Sequence, residues 1–253
     1  MGCNHLRHET GPVATRLTEF KLDSKSAGLQ IAVAELTDLQ DDLWHELLRE
    51  IDTQSISLET RKRLDLNGLS VGTLMSRLPP SLARILNEAP TAEQRQNSRL
   101  VSSQFVQNRM GSEHWVQSAT TQESLYWTMI EESFQSSGHC DSAMAGFYIS
   151  SSVQGNGTIN LQVSPGVKHG QLRPRIGLGE EDFAIRETQE YRGFQALDFQ
   201  VPLKHGHTLV IWPSDGSGLG GQLLDGGGNR IRFLLVRLIQ LAEDDLFALP
   251  ETN

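Results

Sequence analysis

The chain has 253 residues, of which 38% are apolar and 21% are charged, and its formal net charge is −9. This apolar content suffices for a buried core, and the length suits one large domain or two small ones. The acidic balance argues against nucleic-acid binding, because a nucleic-acid binder needs a concentrated basic surface to displace counterions from phosphate. The densest basic run is Arg61-Lys62-Arg63, and it fits the solvated face of a helix.

The first 28 residues are polar and lack sustained periodicity, which predicts a flexible tether over 1–28. Gly2-Cys3 resembles the junction at which bacterial lipoproteins are cleaved and lipidated, although the apolar segment that precedes such a junction is absent. Two interpretations therefore stay open, lipid attachment at Cys3 and an unmodified tail. No apolar run approaches the roughly 18 residues of a membrane-spanning helix, so no transmembrane span is predicted.

Residues 29–89 predict a small α/β unit in the order β-α-α-β-α. Strands are assigned where apolar residues alternate and helices where they recur at a spacing of three or four. Asn67-Gly68 ends the second helix, because glycine accepts the left-handed conformation that closes a helix. The predicted segments are a strand at Leu29–Leu36, a helix from Leu39 to Ile51, a helix at Leu58–Leu66, a strand at Leu69–Leu74 and a helix at Ser81–Glu88.

Beyond a polar boundary at 89–97 the apolar period changes to two, which predicts a β-rich domain over 98–250. Its best signal is a hairpin around Gly155-Asn156-Gly157, because Asn-Gly takes the positive φ angles of a tight turn. The stretch 120–134 is ambiguous, since a capping box at Thr120 and Glu123 precedes a run of strand formers, and we prefer a strand. Further strands are predicted at Leu100–Asn108, His114–Ser118, Phe183–Thr188, Phe194–Leu203, His207–Trp212 and Arg230–Leu241.

These elements together predict an α+β fold. The small β-α-α-β-α unit is followed by a mostly antiparallel β-sandwich or partly closed barrel.

The glycine-rich stretch 214–229 contains a literal G-x-G-x-x-G at Gly216–Gly221. A dinucleotide site needs a helix after this motif and then a parallel strand, and the four residues 222–225 before the next glycines are too few for that helix. We therefore predict a long, mobile hairpin tip between two antiparallel strands, with a partner-contact loop as the alternative. No cofactor is predicted.

Three histidines are candidate metal ligands. His205 and His207 flank a glycine and share one sheet face if the stretch is extended, and His169 lies in a similar Lys-His-Gly turn. The run His139-Cys140-Asp141 offers further ligands. The alternative is that each Lys-His-Gly marks a solvent-exposed turn.

No nucleophile elbow or phosphate-binding loop is present, and no catalytic residue is predicted. The acidic runs at 131–132, 180–182 and 243–245 fit solvated faces or loops, because adjacent residues of a strand point to opposite sides. The missing catalytic pattern favours a non-enzymatic protein without deciding the matter.

Two segments carry a family resemblance. Thr158–Val167 reads Thr-Ile-Asn-Leu-Gln-Val-Ser-Pro-Gly-Val, and Phe199–Ile211 reads Phe-Gln-Val-Pro-Leu-Lys-His-Gly-His-Thr-Leu-Val-Ile. They resemble strand segments in the C-terminal β-domain of bacterial secretins and in uncharacterised bacterial envelope lipoproteins. Secretins assemble into outer-membrane rings through small α/β modules that precede the β-domain, an order that 29–89 and 98–250 match. The β-rich part is too short for a full secretin gate, so the resemblance implies an envelope location and a structural role, with no binding residues.

The sequence thus favours a non-enzymatic cell-envelope protein on the periplasmic side of a bacterial envelope, with a cytoplasmic location as the alternative. It would act through contacts with a protein partner as a structural or assembly component, lipid-anchored if Cys3 is modified. Two other hypotheses stay open: a metal-dependent hydrolase using His205 and His207, and a ligand-binding β-sandwich whose loops, including 214–229, form the pocket. The sequence leaves the partner and the oligomeric state open.

Overall fold

A computed structural model describes residues 26–36, 42–75, 78–87, 98–109, 111–154, 157–178, 183–214, 218–225 and 230–241. Cys3 and nearly all of the predicted tether lie outside these residues. The helices are α1 (Asp42–Glu50), α2 (Leu58–Asp65), α3 (Pro80–Asn87) and α4 (Gly218–Leu223). The strands are β1 (Ser26–Leu36), β2 (Leu69–Leu74), β3 (Ser98–Arg109), β4 (Glu113–Gln117), β5 (Gln122–Ile130), β6 (Gln135–Gln154), β7 (Thr158–Leu178), β8 (Phe183–Gly193), β9 (Phe199–Lys204), β10 (Thr208–Pro213) and β11 (Ile231–Leu241).

The strands form two sheets, and every strand pairing in the described part of the chain is antiparallel. Sheet A has five strands in the order β2-β10-β11-β1-β3. Sheet B has six strands, with β4, β6, β7 and β8 in a row, β5 paired to β6 and β9 paired to β7. The predicted α+β class and its mostly antiparallel β-sandwich are confirmed.

Two apolar cores divide the molecule into layers. The larger core lies between the sheets, where Leu29, Ile31 and Val33 of β1 share a cluster with Phe147 and Ile149 of β6. The smaller core covers the other face of sheet A. There the alternate side chains of β1, Ala32 and Ala34, pack with residues of α1, α3, β10 and β11. β1 is consequently buried on both faces, and α1 and α3 cover the face of sheet A that is turned away from sheet B, while α2 and α4 pack into the larger core.

The long strands β6 and β7 form the spine of sheet B, and they are joined by the hairpin predicted around Gly157. Gly157 has a φ of +74°, in the left-handed region that glycine accepts without strain. Each long strand has two partners in succession. β6 pairs with β5 near its start and with β4 further on, while β7 pairs with β9 near its start and with β8 further on.

The strands of the predicted unit 29–89 pair with strands from the predicted domain 98–250 instead of with each other. β1 lies between β11 and β3, and β2 pairs with β10, so both belong to one sheet with strands from 98–250. The order β-α-α-β-α is present along the chain, and the division into separate domains stays a prediction.

The glycine-rich stretch differs from the predicted mobile tip. Residues 218–223 form α4, and Leu219 and Leu223 on it are fully buried in the larger core. The backbone N–H of Gly220 donates to the carbonyl of Asn67 at 2.8 Å. The prediction of a mobile tip is therefore wrong for α4, because its glycines allow close backbone packing. The prediction that the flanking strands β10 and β11 are antiparallel is confirmed.

Candidate functional site

A groove opens between β3 and β4, two consecutive strands that belong to different sheets. The turn that joins them is tight: Ser112 N–H donates to Arg109 O at 2.9 Å, and Gly111 has a φ of +82°. β3 then pairs only with β1 and β4 only with β6, within the residues that the structure describes. The strands diverge from the turn and enclose a groove of about 440 Å³.

The lining of this β3–β4 groove is mostly neutral and polar. Trp115 supplies an aromatic wall, and Arg232 is the one charged residue among the described residues of the lining. The groove is lined by Val101, Ser102, Ser103, Gln104, Trp115, Val116, Gln117, Ser118, Ala119, Thr120 and Arg232. Its volume lies within the range of roughly 300–1,000 Å³ that small-molecule sites occupy.

The charge of Arg232 is already balanced inside the protein. Its Nη2 lies 2.7 Å from Glu35 Oε2, and both side chains are only 2% exposed. Its Nη1 lies 3.2 Å from Asp225 Oδ2 and donates to the carbonyl of Ser118 at 3.2 Å. Because two carboxylates face this guanidinium, the groove does not present an open anion site.

The residues after β4 tie the groove to α4. Ser118 Oγ donates to the carbonyl of Leu223 at 2.5 Å, and Thr120 Oγ1 donates to Asp225 Oδ2 at 2.9 Å. Asp225 holds a positive φ of +49°, which Asp tolerates better than most residues. Together with the contacts of Arg232 on β11, these bonds join sheet A, α4 and the edge of sheet B at one end of the groove.

Trp115 also belongs to an aromatic cluster on the outer face of sheet B. Its ring centroid lies 5.0 Å from that of Tyr148 and 6.0 Å from that of Tyr191, and the Lys168 ammonium lies 4.7 Å from the Trp115 centroid. The rings lie over glycines, because a Cβ at Gly166 would overlap the Tyr191 ring. Aromatic rings that cover glycines in this way restore packing on a sheet face.

The groups of this cluster are only partly withdrawn from water, and this partial burial shifts their pKa values. Burial raises the pKa of Tyr191 to about 12, with a smaller contribution from the Asp198 carboxylate. Burial also lowers the pKa of Lys168 and raises the pKa of Asp198. The two aromatic faces attract the Lys168 cation, which opposes the effect of burial.

The free edges of the sheets differ in how they are protected against pairing with another strand. β2 is bridged by Asp52, whose backbone exchanges hydrogen bonds of 2.8 and 2.9 Å with Thr73. β9 carries Pro202 and Lys204, two residue types that discourage edge pairing. The remaining edges of sheet B are protected in other ways. β4 is short, with only five residues, and α4 packs against β5. The sequence of β8 is rich in charged residues.

β3 is the longest of these edges. It has 12 residues, contains neither proline nor lysine, and carries charged residues only at Arg99 and Arg109. Val101 and Phe105 are 42% and 51% exposed on it. One irregularity is a bulge opposite Val33 and Ala34, which leaves Val101 without a partner on β1. A long edge strand with exposed apolar side chains is the kind that recruits another strand.

The structure places the candidate metal ligands in separate surroundings. His205 lies in the turn between β9 and β10, with Nε2 2.9 Å from the carbonyl oxygen of Ile239. His207 is half-buried, and burial, assisted by Lys204, lowers its pKa. His169 lies on β7 opposite Glu190 of β8. Among the described residues, no group of three His, Cys, Asp or Glu is arranged to hold a metal ion. The metal site stays a prediction, which metal analysis of the purified protein would check.

The run 139–141 alternates across its sheet. His139 Nε2 lies 2.8 Å from Asp141 Oδ1 on the exposed face, and the His139 ring stacks on that of Tyr126 at 5.2 Å. Cys140 is a free, buried thiol whose pKa is raised by burial. The cysteine therefore points away from the other two candidate ligands.

The β3–β4 groove was not predicted from the sequence. Both strands were predicted correctly, but the short polar connection between them is typical of a hairpin within one sheet. Only the bulge, the turn and the pairing of β3 with β1 reveal that the strands separate. The one signal available was β3 itself, with a central stretch free of charge and proline.

Comparison with known proteins gives little further information. No family model matches the chain, and no curated protein matches it. One solved structure with some likeness is the β-barrel secretin domain of InvG from the Salmonella SPI-1 injectisome, at 9% sequence identity and a TM-score of 0.25. The likeness covers 88% of this chain and 65% of that one, so this chain spans less than two thirds of the secretin domain's length. At that TM-score the likeness carries no argument about this chain's function.

Among the described residues, no helix combines the length and apolarity required to cross a bilayer.

Proposed function

We propose that this chain is a non-enzymatic component that acts through protein–protein contacts, and that the edge of β3 is its contact surface. The observation that carries the proposal is the contrast between β3 and the other edges. The backbone of Asp52 bridges β2, β9 carries proline and lysine, and α4 packs against β5. β3 is the longest of these edges, with 12 residues, contains neither proline nor lysine, and exposes Val101 and Phe105.

Pairing of another strand with this edge would be favourable for two reasons. Backbone N–H and C=O groups on the free side of β3 would form a new ladder, which is the source of affinity in strand addition. The exposed apolar side chains of Val101 and Phe105 would lose contact with water, which is favourable in proportion to the apolar area buried.

Site-specific photo-cross-linking in the native host tests the contact. A benzophenone amino acid replaces Phe105 on β3, and the matched control replaces Tyr126, an aromatic residue 72% exposed on the covered strand β5. We expect a protein adduct at position 105 and at least tenfold less at position 126. Equal yields, or no adduct at 105, would remove the β3 edge as the contact surface.

We further propose a location on the periplasmic side of a bacterial envelope, with lipid attachment at Cys3. The support is the Gly2-Cys3 junction and the polar stretch that follows it. The intact mass of the protein from its native host tests the anchor, and fractionation tests the location. A bare-chain mass together with recovery in the cytosolic fraction would contradict both.

The lining of the β3–β4 groove favours a second candidate function, the binding of a small neutral ligand rich in hydroxyl groups. Hydroxyl and amide side chains such as Ser102, Gln104 and Gln117 line the same groove as Trp115, and the charge of Arg232 is balanced internally. Thermal-shift measurements with neutral and charged oligosaccharides test this function. Binding of a neutral one that is lost in Gln104→Ala would support it, and the same shift in both proteins would contradict it.

A further inference from the structure

We propose that the pocket between α2 and the outer edge of β2 binds a phosphate group, either free phosphate or the phosphate group of a small monoester. The pocket has a volume of about 250 Å³, and residues of α2, of β2 and of the segment between α1 and α2 line it together with Trp212 of β10. β2 and β3 are opposite edges of sheet A, so this inference does not depend on the proposed function.

The basic run at 61–63 divides between two surroundings. Arg61 and Lys62 line the pocket, whereas Nη2 of Arg63 donates to the carbonyl of Asp198 at 2.8 Å and Arg63 lies outside the lining. Among the described residues, neither Arg61 nor Lys62 forms an ion pair with a carboxylate. In the same part of the chain, the Arg61 guanidinium makes one hydrogen bond, of 3.4 Å to Thr53 Oγ1, and its Nε is buried without a partner. Two cations at this pocket are therefore available to a bound anion.

The edge of β2 adds a backbone donor to the pocket. The N–H and C=O of Thr73 point away from β10, because they bond to Asp52 at 2.9 and 2.8 Å. Backbone groups alternate in direction along a strand, so those of Val71 point the same way as those of Thr73. Within the described residues, no acceptor bonds to the N–H of Val71 on that side. Val71 lines the pocket although its side chain packs in the larger core, so the pocket meets this residue at its backbone.

Two hydroxyl side chains lie on different sides of the pocket. Ser70 is directly opposite Trp212 in the β2–β10 pair, so both side chains are on the face of sheet A where Trp212 packs with Trp44. Thr53 follows the bridging residue Asp52 and lies next to the Arg61 guanidinium. The donors therefore come from a helix, a strand edge and two hydroxyl groups, which approach a ligand from several directions.

A phosphate group matches these donors better than a carboxylate does. A phosphate monoester carries a charge of about −1.5 to −2 at neutral pH and has three strong acceptor oxygens. Arginine binds two such oxygens through its planar fork, and lysine binds phosphate as a point charge. The guanidinium, ammonium, hydroxyl and backbone groups together exceed the roughly four lone-pair sites of a carboxylate. The small volume suits a ligand of this size, since sites for drug-sized molecules begin at roughly 300 Å³.

One carboxylate opposes the two cations. Asp65 lines the pocket four residues after Arg61 on α2, and the described structure shows no ion pair between them. The described lining thus keeps an excess of one positive charge in a chain whose formal net charge is −9. A local excess of one sign in a concave surface concentrates ions of the opposite sign.

Calorimetric titration of the full chain with inorganic phosphate, at constant ionic strength, tests the site. We expect saturable binding, and a dissociation constant raised about tenfold or more in Arg61→Gln, because a charge-assisted hydrogen bond is lost. Arg63→Gln is the matched control, since it removes the same charge from the same run at a residue outside the lining, and it should change the affinity little. Equal losses in both variants, or no saturable binding by the unmodified chain, would overturn the proposal.

Asp65→Asn supplies a test that misfolding cannot imitate. It removes the carboxylate from the lining, so phosphate should bind about threefold more tightly. Glu59→Gln is its control, because Glu59 is in the first turn of α2 and outside the lining. Unchanged or weaker binding in Asp65→Asn, or equal tightening in Glu59→Gln, would contradict a phosphate beside Asp65.

Amide resonances locate the bound ion, and a second ligand identifies its source. Phosphate should shift the amide resonance of Val71 more than that of Thr73, whose N–H already bonds to Asp52 O. Equal shifts, or no shift at Val71, would overturn the assigned site. Tighter binding of phenyl phosphate than of inorganic phosphate would assign the pocket to a monoester, with the ring against Trp212. Equal or tighter binding of inorganic phosphate would assign it to the free ion.

Discussion

The side-chain amide of Asn67 pairs with the backbone of Ile130 as a neighbouring strand would. Asn67 Oδ1 accepts from Ile130 N–H at 2.8 Å, and Nδ2 donates to Ile130 O at 2.8 Å. The same Nδ2 donates to Arg63 O at 3.0 Å. Asn67 follows α2 and Ile130 ends β5, so one buried amide fixes the end of α2 to the β5–β6 hairpin.

Asn67→Ala should lower the free energy of unfolding by about 2–3 kcal/mol, because it removes the hydrogen bonds that one buried amide makes to the backbone of Ile130 and Arg63. Urea denaturation followed by circular dichroism measures the loss. Asn160→Ala is the matched control, since the amide of Asn160 donates to an exposed Gln200 side chain. We expect about 0.5 kcal/mol or less there, and similar losses in both variants would contradict a special role for Asn67.

Asn67 also marks the limit of what the sequence predicts here. The Asn-Gly pair was correctly predicted to end α2, and Gly68 has a φ of +77°. That signal is local, because it depends on the conformations a single residue can adopt. The bond to Ile130 joins residues 63 positions apart, and no local pattern specifies such a pair.

The same distinction applies to the larger elements. Strands such as β2, and helices such as α2, were predicted within a residue or two, because apolar periodicity follows from local geometry. The placement of β1 and β2 in one sheet with β10 and β11 depends on long-range pairing. The burial of α4 was missed because a glycine-rich stretch is typical of a loop, while here the absent side chains permit backbone contact. The β3–β4 groove also depends on long-range pairing, because it exists only where β3 pairs with β1 and not with β4.

Gly220→Ala tests the close approach of α4 to the backbone after α2. A Cβ at Gly220 would overlap the carbonyl oxygen of Gly68, and neither backbone can move without disturbing the hydrogen bond from Gly220 to Asn67. We expect a loss of about 2–3 kcal/mol in the free energy of unfolding, in the range for overpacked cores.

Gly111→Ala serves as the comparison for Gly220→Ala. A Cβ at Gly111 would have open space around it, with nothing within 4 Å, but the φ of +82° remains. Alanine there costs backbone strain alone, about 1–2 kcal/mol. Thermal unfolding of both variants should show the larger shift for Gly220→Ala. The reverse order would mean that α4 can withdraw from Gly68 at little cost.

Arg232→Met should be more disruptive than a surface substitution of the same kind, because it removes the guanidinium that pairs with the buried Glu35 carboxylate and with Asp225. Breaking one side of a buried ion pair costs about 3–5 kcal/mol. Arg173→Met is the control, since Arg173 and its partner Glu190 are both exposed, and such pairs contribute roughly 0–1 kcal/mol. Adding Glu35→Gln to Arg232→Met should recover part of the loss. No recovery in urea denaturation would show that the buried charge is not the cause.

The raised pKa of Tyr191 predicts how stability depends on alkaline pH. Burial lifts this pKa from 10.0 to about 12 in the folded protein, so the unfolded chain loses the phenolic proton first. The stabilising contribution is therefore complete below pH 10 and is lost as the pH rises towards 12.

The chain has three tyrosines, and ultraviolet absorbance should resolve one that ionises near pH 12. Tyr191→Phe should remove this component and flatten the fall of unfolding free energy above pH 10. Persistence of the component in Tyr191→Phe, with its disappearance in Tyr148→Phe, would assign it to the neighbouring ring instead.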